Sequence, residues 1–385
     1  MPCRRRRRLS HSSQKPLPRI GAPPHAPFSM PRVNLIGWDN GVGLSRDLRL
    51  IEHVLREAGM QVHLQPARGR GKLRKWLGPW LQRARFGGRR LLGRERYDLN
   101  IMLEHVKPEY LQAANRNAFI PNPEWCLPSD VRRLRHIDRV MTKTRHAEGL
   151  FEARGCDVAP IGFTSGDRHL PGVERRRTFL HLAGRSSAKR TRMVLETWAR
   201  HPEWPLLTVV QHPRIADFRP AAANIVHRVD YLDDAELREI QNTNLFHVCP
   251  SETEGFGHYI VEALSVGAIV LTTDAEPMNE LVTPERGILM PYARTDRQQL
   301  AQRYLVEAEA LEAAVASALA LNDEECANMQ AEARRFFLEN DLAFRSRLVD
   351  AVRGLAGASD TRPVLPAPIR NTEWSLGVEA RSAEI

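Results

Sequence analysis

From residue 30 onward, short apolar runs alternate with segments in which apolar residues recur at helical spacing. The apolar runs predict two series of strands, at 33–37, 61–64, 99–103, 118–120 and 139–142, and then at 178–183, 206–210, 225–228, 245–249, 268–273 and 287–290. The helical pattern predicts helices at 45–58, 191–200, 234–241, 257–265 and 300–320. Apolar strands that alternate with helices are typical of parallel sheets covered on both faces.

This double series predicts an α/β protein with two doubly wound, Rossmann-like domains that face a central cleft. The first domain is expected at 30–170, a hinge at 171–177, and the second domain at 178–345. Residues 346–385 are predicted to be the end of a helix and a loose tail. Ligands of such sheets bind beyond the carboxyl ends of the strands, so the loops that follow strands should carry the chemistry.

Composition agrees with a protein that buries a core, and it shows where the charge is concentrated. Of the 385 residues, 42% are hydrophobic and 26% are charged, and the net charge is +10 at pH 7. Residues 1–29 hold seven Lys/Arg and no acid, while residues 68–96 hold eleven Lys/Arg and one acid, so the rest is net acidic. The overall basicity is therefore poor evidence for nucleic acid as a partner.

The first 29 residues are predicted to be a disordered basic leader, because they contain six prolines and little that could be buried. Met30 directly precedes the first strand, which favours Met30 as the true start. A basic tail that binds RNA or anionic lipid is the alternative. The five scattered cysteines have no zinc or CxxC spacing, so we expect no metal site and a cytoplasmic protein.

Residues 68–96 form a basic insertion in which apolar residues recur at helical spacing among the basic ones: Leu73, Trp76, Leu77, Trp80 and Leu81. Basic amphipathic segments with tryptophan bind anionic membrane surfaces, so this insertion would place the protein peripherally at the cytoplasmic membrane face. A surface helix that packs on its own domain, or a segment that binds nucleic acid, would show the same pattern.

Two of the loops that follow predicted strands combine glycine with a possible anion site. Gly41 and Gly43 follow the first strand and open a helix, where the free backbone amides favour an anion. Gly184, Arg185 and Lys189 follow the strand at 178–183. A flexible backbone with two cations suits a diphosphate group.

The third loop, PSETEGFG at 250–257, contains Glu254 and leads into a helix that contains Glu262. The change from loop to helix lets both carboxylates reach one ligand at the helix N-terminus, beside Phe256 and Gly257. Helix amides there favour a phosphate, and Glu262 can accept hydrogen bonds from a ribose diol.

At these residues the sequence resembles the E-x7-E signature of retaining GT-B glycosyltransferases (glycosyltransferase family 4-like, glycosyl transferases group 1), in the segment PSETEGFGHYIVEALSVGAIV. GRSSAKRT resembles the family's Gly-Arg…Lys phosphate motif, and the resemblance covers most of 30–345. It implies the GT-B fold and transfer of a hexosyl or related sugar from a nucleoside-diphosphate sugar with retention. It also implies that no metal or cofactor is needed. The expected acceptor is a cell-surface glycan or a lipid-linked molecule.

The resemblance also implies a role for each candidate residue. Glu262 would bind the ribose, Glu254 would face the donor sugar, and Arg185 with Lys189 would stabilise the departing diphosphate. The remaining donor-site residues are Gly41, Gly43, Gly184, Phe256 and Gly257 around the phosphates, and His105, Asn279 and Glu280 near the sugar. The family's Gly-Gly segment before that last glutamate is replaced here by DAEPMNEL.

Two other functional classes remain compatible with the sequence. The same fold carries nucleotide-sugar epimerases and sugar phosphorylases. The two basic segments could also belong to a non-catalytic module that binds RNA or membrane.

Overall fold

The computed structural model describes residues 30–38, 43–66, 88, 96–230 and 232–357. The predicted leader, residues 358–385 and nearly all of the basic insertion therefore lie outside the described residues. None of the described helices is long and apolar enough to cross a membrane.

The first unit is a six-stranded parallel sheet with helices α1–α3. Its strands are β1 (Arg32–Gly37), β2 (Gln61–Pro66), β3 (Tyr97–Leu103), β4 (Ala114–Ile120), β5 (Arg139–Thr142) and β6 (Val158–Pro160). Its helices are α1 (Gly43–Glu57), α2 (Pro128–Arg133) and α3 (Arg145–Glu152). α1 buries one apolar stripe, at i, i+4 and i+7 spacing, against the sheet: Leu44, Leu48, Ile51 and Leu55.

The second unit is also a six-stranded parallel sheet. Its strands are β7 (Arg176–Gly184), β8 (Leu207–Gln211), β9 (Ile225–Arg228), β10 (Asn244–Cys249), β11 (Ile269–Thr273) and β12 (Gly287–Met290). The helices of this half of the chain are α4 (Thr191–Ala199), α5 (Asp234–Thr243), α6 (His258–Ser265), α7 (Met278–Leu281), α8 (Ala308–Ala320) and α9 (Asp323–Ala356). These two sheets confirm the predicted α/β fold with two Rossmann-like units.

The strand orders locate the point at which each sheet can bind a ligand. The first sheet has the order β2-β1-β3-β4-β5-β6, so it reverses between β1 and β3. The second has the order β12-β11-β10-β7-β8-β9 and reverses between β7 and β10. Ligands of doubly wound sheets bind at such switch points. The loops after β7 and β10 are the two that carry the predicted phosphate motif and the Glu254 loop.

The long helix α9 joins the two units. A capping box starts it, since Asn322 accepts from the Glu325 N–H at 2.9 Å and Glu325 accepts from the Asn322 N–H at 2.8 Å. α9 packs against both α1 and α6, and one buried apolar cluster contains residues of all three helices. The boundary expected between residues 345 and 346 falls inside this helix.

The predicted helix at 300–320 is wrong in its first part. Residues 294–305 form an antiparallel hairpin, β13 (Arg294–Gln298) and β14 (Ala301–Leu305), and α8 begins only at Ala308. The hairpin reaches the first unit, because the Leu300 N–H donates to the Pro123 carbonyl at 3.2 Å. This hydrogen bond links the second half of the chain to the first unit.

Candidate functional site

The loop between β10 and α6 lies at the switch point of the second sheet. Gly257 caps α6 with φ 99°, a left-handed conformation that glycine adopts without strain. Among the described residues no side chain caps the first turn of α6. Its N-terminus therefore offers backbone amides and the positive end of the helix dipole to an anion. The ring of Phe256 is buried against Phe163, with ring centroids 5.3 Å apart, and this packing anchors the loop.

Glu262 is 8% exposed and faces the cleft from α6. One of its oxygens pairs with the Arg46 guanidinium of α1, and the other accepts from Nε2 of Gln241 at 3.3 Å. Burial by itself would raise the pKa of Glu262, but the charges of Arg46 and Arg168 lower it overall. The carboxylate is thus ionised and ready to accept hydrogen bonds.

Glu254 and Lys189 face each other across the two loops of the switch point. Ser251 Oγ donates to Glu254 Oε1 at 2.6 Å. The Lys189 ammonium lies 3.4 Å from the centroid of the Tyr259 ring and donates to the Leu182 carbonyl at 3.2 Å. Burial lowers the pKa of Lys189, whereas the charge of Glu254 opposes that shift. The structure therefore brings together the cation and the carboxylate that the sequence predicted.

The structure also distinguishes Lys189 from its basic neighbours. Gly184, with φ 56°, ends β7 and is exposed together with Arg185. Arg190 has other partners, because its guanidinium donates to the Val306 carbonyl at 3.1 Å and to Glu307 at 3.0 Å, and it lies 3.8 Å from Glu252 Oε1. Of the two basic residues that follow Arg185 in this loop, Lys189 is thus the one that faces the cleft.

The two residues predicted near the sugar from the DAEPMNEL segment have hydrogen-bond partners of their own. Both oxygens of Glu280 accept backbone N–H groups at the start of α3, from Arg145 and His146, each at 2.7 Å. Nδ2 of Asn279 donates to Asp274 Oδ1 at 3.1 Å. Glu280 therefore caps a helix of the first unit with both of its carboxylate oxygens.

His105 lies on the first-unit side, directly after β3. Its Nδ1 is 2.9 Å from Asp130 Oδ2, which fixes the ring, and its side chain is 27% exposed. Gly43 is the exposed first residue of α1, whereas Gly41 lies outside the described residues. The expected glycine loop over the diphosphate is thus described only at its end.

A buried charged network that the sequence reasoning missed crosses the cleft. Nε2 of His258, the first residue of α6, lies 2.6 Å from Asp47 Oδ1, and its Nδ1 lies 2.6 Å from Ser165 Oγ. Lys143 donates to Asp47 Oδ2 at 2.5 Å and to Asn122 Oδ1 at 3.0 Å. Lys143 directly follows the predicted strand 139–142. Its position after a strand is the signal that could have identified it, because the loops after strands were expected to carry the chemistry.

Glu124 was also missed, and it lies in the loop after β4 beside the Glu254 loop. A Cβ added at Gly255 would lie 2.7 Å from Glu124 Oε1 and 2.7 Å from Asn122 Oδ1. The second-unit loop can approach this closely only because residue 255 is glycine. No group of His, Cys, Asp or Glu among the described residues has the geometry to hold a metal ion.

Comparison with known proteins agrees with this arrangement. The family model described as Glycosyl transferases group 1 matches residues 222–336, which include the Glu254 loop, α6 and the hairpin. No curated protein matches the chain.

Solved structures match over both units. Sucrose-phosphate synthase from Thermosynechococcus elongatus has a TM-score of 0.59 and 17% identity, covering 86% of this chain and 100% of that one. HepE from Anabaena in complex with UDP has a TM-score of 0.59 and 14% identity, covering 84% and 100%. This chain spans only 61% of the matched chain of the GtfA/B complex and 59% of the pneumococcal O-GlcNAc transferase GtfA, which was solved with UDP and GlcNAc. The chain thus has the GT-B glycosyltransferase fold, and its residues 222–336 match glycosyl transferases group 1.

Proposed function

We propose that this protein is a retaining glycosyltransferase that transfers a sugar from a nucleoside-diphosphate sugar to a hydroxyl of an acceptor. The observation that carries the proposal is the cluster of Glu254, Glu262 and Lys189 at the N-terminus of α6. That cluster lies at the switch point of the second sheet, where a doubly wound fold binds its ligand.

Each part of the donor has a matching group. Glu262 is ionised and can accept hydrogen bonds from a ribose diol. The diol would replace the Arg46 guanidinium at one oxygen of Glu262. The amides of α6, with Lys189 and the exposed Arg185, suit the diphosphate. Glu254 faces the donor sugar, and His105 approaches that sugar from the first unit.

The chemistry follows from where negative charge develops. As the glycosidic bond breaks, charge accumulates on the leaving diphosphate, and cations and helix amides already in place stabilise it. The leaving phosphate then takes the proton of the acceptor hydroxyl, so no separate base is required. Side-chain cations serve this role, so we propose that catalysis needs no metal ion.

The nucleotide and the acceptor are further parts of the proposal. UDP is the first nucleotide to test, because HepE and the GtfA protein were both solved with UDP. A cell-surface glycan or a lipid-linked acceptor is proposed from the basic insertion at 68–96, which would hold the protein at a membrane. The four described cysteines are free, which fits a reducing cytoplasm.

Release of nucleotide from UDP-glucose, UDP-N-acetylglucosamine, GDP-mannose and ADP-glucose tests the proposal, with chelator present and water or mixed sugars as acceptor. We expect turnover of one donor class. Lys189→Met and Glu254→Gln should each lower that rate on the order of 100-fold, because both groups act on the transition state. Lys107→Met and Glu152→Gln are matched controls outside the cluster. No turnover of any donor, or equal rates in all variants, would contradict the proposal.

A further inference from the structure

The carboxyl of Glu124 is a buried polar group that nothing in the proposed donor site uses. Glu124 lies in the turn at Pro123–Trp125, just beyond the carboxyl end of β4, and is 8% exposed. Its Oε1 packs against Gly255, the residue that follows Glu254. Glu124 therefore approaches the proposed reaction centre from the opposite side of the cleft.

One oxygen of this carboxyl has no hydrogen-bond partner. Among the described residues, Glu124 Oε2 is fully buried and neither accepts nor donates a hydrogen bond. A buried polar atom without a partner is destabilising, so such atoms are rare and call for an explanation. A ligand that supplies the missing hydrogen bond in the closed cleft is one such explanation.

The surroundings of Glu124 favour a neutral partner. Burial raises the pKa of Glu124 to about 8. A hydrogen bond from its own backbone N–H and the charge of Lys143 oppose this rise, and the carboxylates of Glu254 and Glu104 add to it. At neutral pH, Glu124 thus carries its proton, and a neutral acid pairs with a hydroxyl rather than with a phosphate or a cation.

We propose that Glu124 binds a sugar hydroxyl in the closed cleft, opposite Glu254, and so positions the reacting partners. This inference rests on the proposed glycosyltransferase function. The hydroxyl belongs either to the transferred sugar of the donor or to the acceptor. Both present the same chemistry to Glu124, and the experiment distinguishes them.

The test uses Glu124→Leu, which removes both hydrogen-bonding oxygens, and Glu124→Gln, which keeps a neutral group of the same shape. Glu152→Gln is the control, because it makes the same change at an exposed glutamate at the end of α3. Calorimetry measures the affinity for UDP and for UDP-glucose. Nucleotide release from UDP-glucose, measured with water and then with mixed sugars as acceptors, gives turnover from about pH 6 to pH 9.5. If the donor screen described above shows turnover of a different nucleotide sugar, that sugar and its nucleotide replace UDP-glucose and UDP.

If the hydroxyl is the donor's, Glu124→Leu weakens nucleotide-sugar binding about 10–100-fold and leaves binding of the free nucleotide unchanged. If it is the acceptor's, both affinities stay and turnover falls by the same factor. In either case Glu124→Gln recovers most of the loss. The wild type then loses turnover as the pH rises through about 8, and the Gln variant does not.

Equal affinities and equal turnover in wild type and Glu124→Leu would overturn the assignment. A pH profile that falls identically in wild type and Glu124→Gln would overturn it too, and this arm holds even where the Leu variant does not fold. If the wild type neither binds nor turns over any of the four donors, the proposed function itself fails. That result is distinct from failure of this inference.

Discussion

Two buried carboxyls on the first-unit side of the cleft have pKa values displaced in opposite directions. Burial tends to raise both. At Asp47, the adjacent Lys143 and His258 outweigh burial and bring the pKa to about 2. At Glu124, Glu254 adds to burial while Lys143 acts only from a distance, so the pKa rises to about 8. Asp47 therefore holds the closed cleft together as an ion, whereas Glu124 stays neutral and available to a ligand.

This contrast distinguishes a residue that stabilises the fold from one that we propose binds substrate. The Asp47 network has each charge paired at hydrogen-bond distance, as a buried ion pair requires. Glu124 has an unpartnered oxygen, the pattern expected where a ligand completes the contacts. Substitutions at Asp47 should therefore mainly lower stability, whereas substitutions at Glu124 should mainly affect ligand binding or turnover.

Removing Lys143, whose charge acts on both Asp47 and Glu124, should have the largest effect on stability. Lys143→Met should reduce the free energy of unfolding by about 3–5 kcal/mol, because it leaves the buried Asp47 with only His258. Urea denaturation measures this, with Lys107→Met at a half-buried lysine as the control. The double variant Lys143→Met with Asp47→Leu should recover part of the loss. A single-variant change below about 1 kcal/mol would contradict the ion-pair assignment.

The raised pKa of Glu124 should appear in the alkaline dependence of stability. Between pH 4.5 and about 8 the unfolded chain has released a proton that the folded protein keeps, so the free energy of unfolding falls as pH rises. Glu124→Gln should remove a decline on the order of 2–4 kcal/mol across that range. Urea denaturation of both proteins at about pH 5 and pH 8.5 checks this. Parallel pH dependences would show that Glu124 is ionised in the fold.

The lowered pKa of Asp47 should appear at the acid end. Its stabilising charge is fully present above pH 3.8 and is lost as the pH falls through about 2. The advantage of wild type over Asp47→Asn should therefore narrow by about 2 kcal/mol over that interval. Acid titration followed by circular dichroism measures it. A difference that does not change with pH would place Asp47 outside the charged network.

The close approach at Gly255 offers a smaller, steric test. Gly255→Ala places a Cβ 2.7 Å from both Asn122 Oδ1 and Glu124 Oε1, so the loop or the side chains must move. We expect a loss of about 1–3 kcal/mol and a larger radius of gyration by X-ray scattering if the cleft opens. Gly149→Ala is the matched control, because a Cβ at that position meets nothing within 4 Å. If Gly255→Ala has the radius of gyration and the stability of the wild type, the cleft tolerates the added methyl group.

The smallest expected effect concerns the helix cap between the units. Glu280→Ala removes the carboxylate that accepts the Arg145 and His146 N–H groups at the start of α3. Loss of such a cap costs about 1 kcal/mol, and we expect nucleotide affinity to stay unchanged. Thermal unfolding and calorimetry separate the two effects. A loss of nucleotide affinity without a loss of stability would restore Glu280 to the donor site.

The fold could be predicted from the sequence, and the candidate residues of the second unit could be proposed from it, because both rest on local signals. Strands at 139–142, 225–228 and 287–290 have the predicted bounds, since polar or turn residues flank short apolar runs. Glu254 and Glu262 lie in one continuous segment with glycines that mark the turn. The hairpin was missed because β13 contains no apolar residue, while the spacing of Leu300 and Tyr304 mimics a helix.

The first-unit side could not be predicted in the same way. Asp47, Glu124 and Lys143 come from three separate segments, and none of them forms a motif within its own segment. Asp47 and Lys143 meet only when the elements of the first unit pack together, and the contacts of Asp47 with His258 and of Glu124 with Gly255 form only when that unit meets the second. Glu280 is predicted from its own segment to bind the donor, and the folded chain adds a contact that the segment does not show: both oxygens accept N–H groups at the start of α3.

The proposed donor site is tested most directly by calorimetric titration of UDP, GDP and ADP into wild type, Glu262→Ala and Glu280→Ala without divalent metal. We predict that wild type binds one nucleotide selectively, and that Glu262→Ala binds it about 10–100-fold more weakly, because the ribose loses a charged acceptor. Glu280→Ala should match the wild type. No binding by the wild type, or equal binding by Glu262→Ala, would show that this switch point is not the donor site.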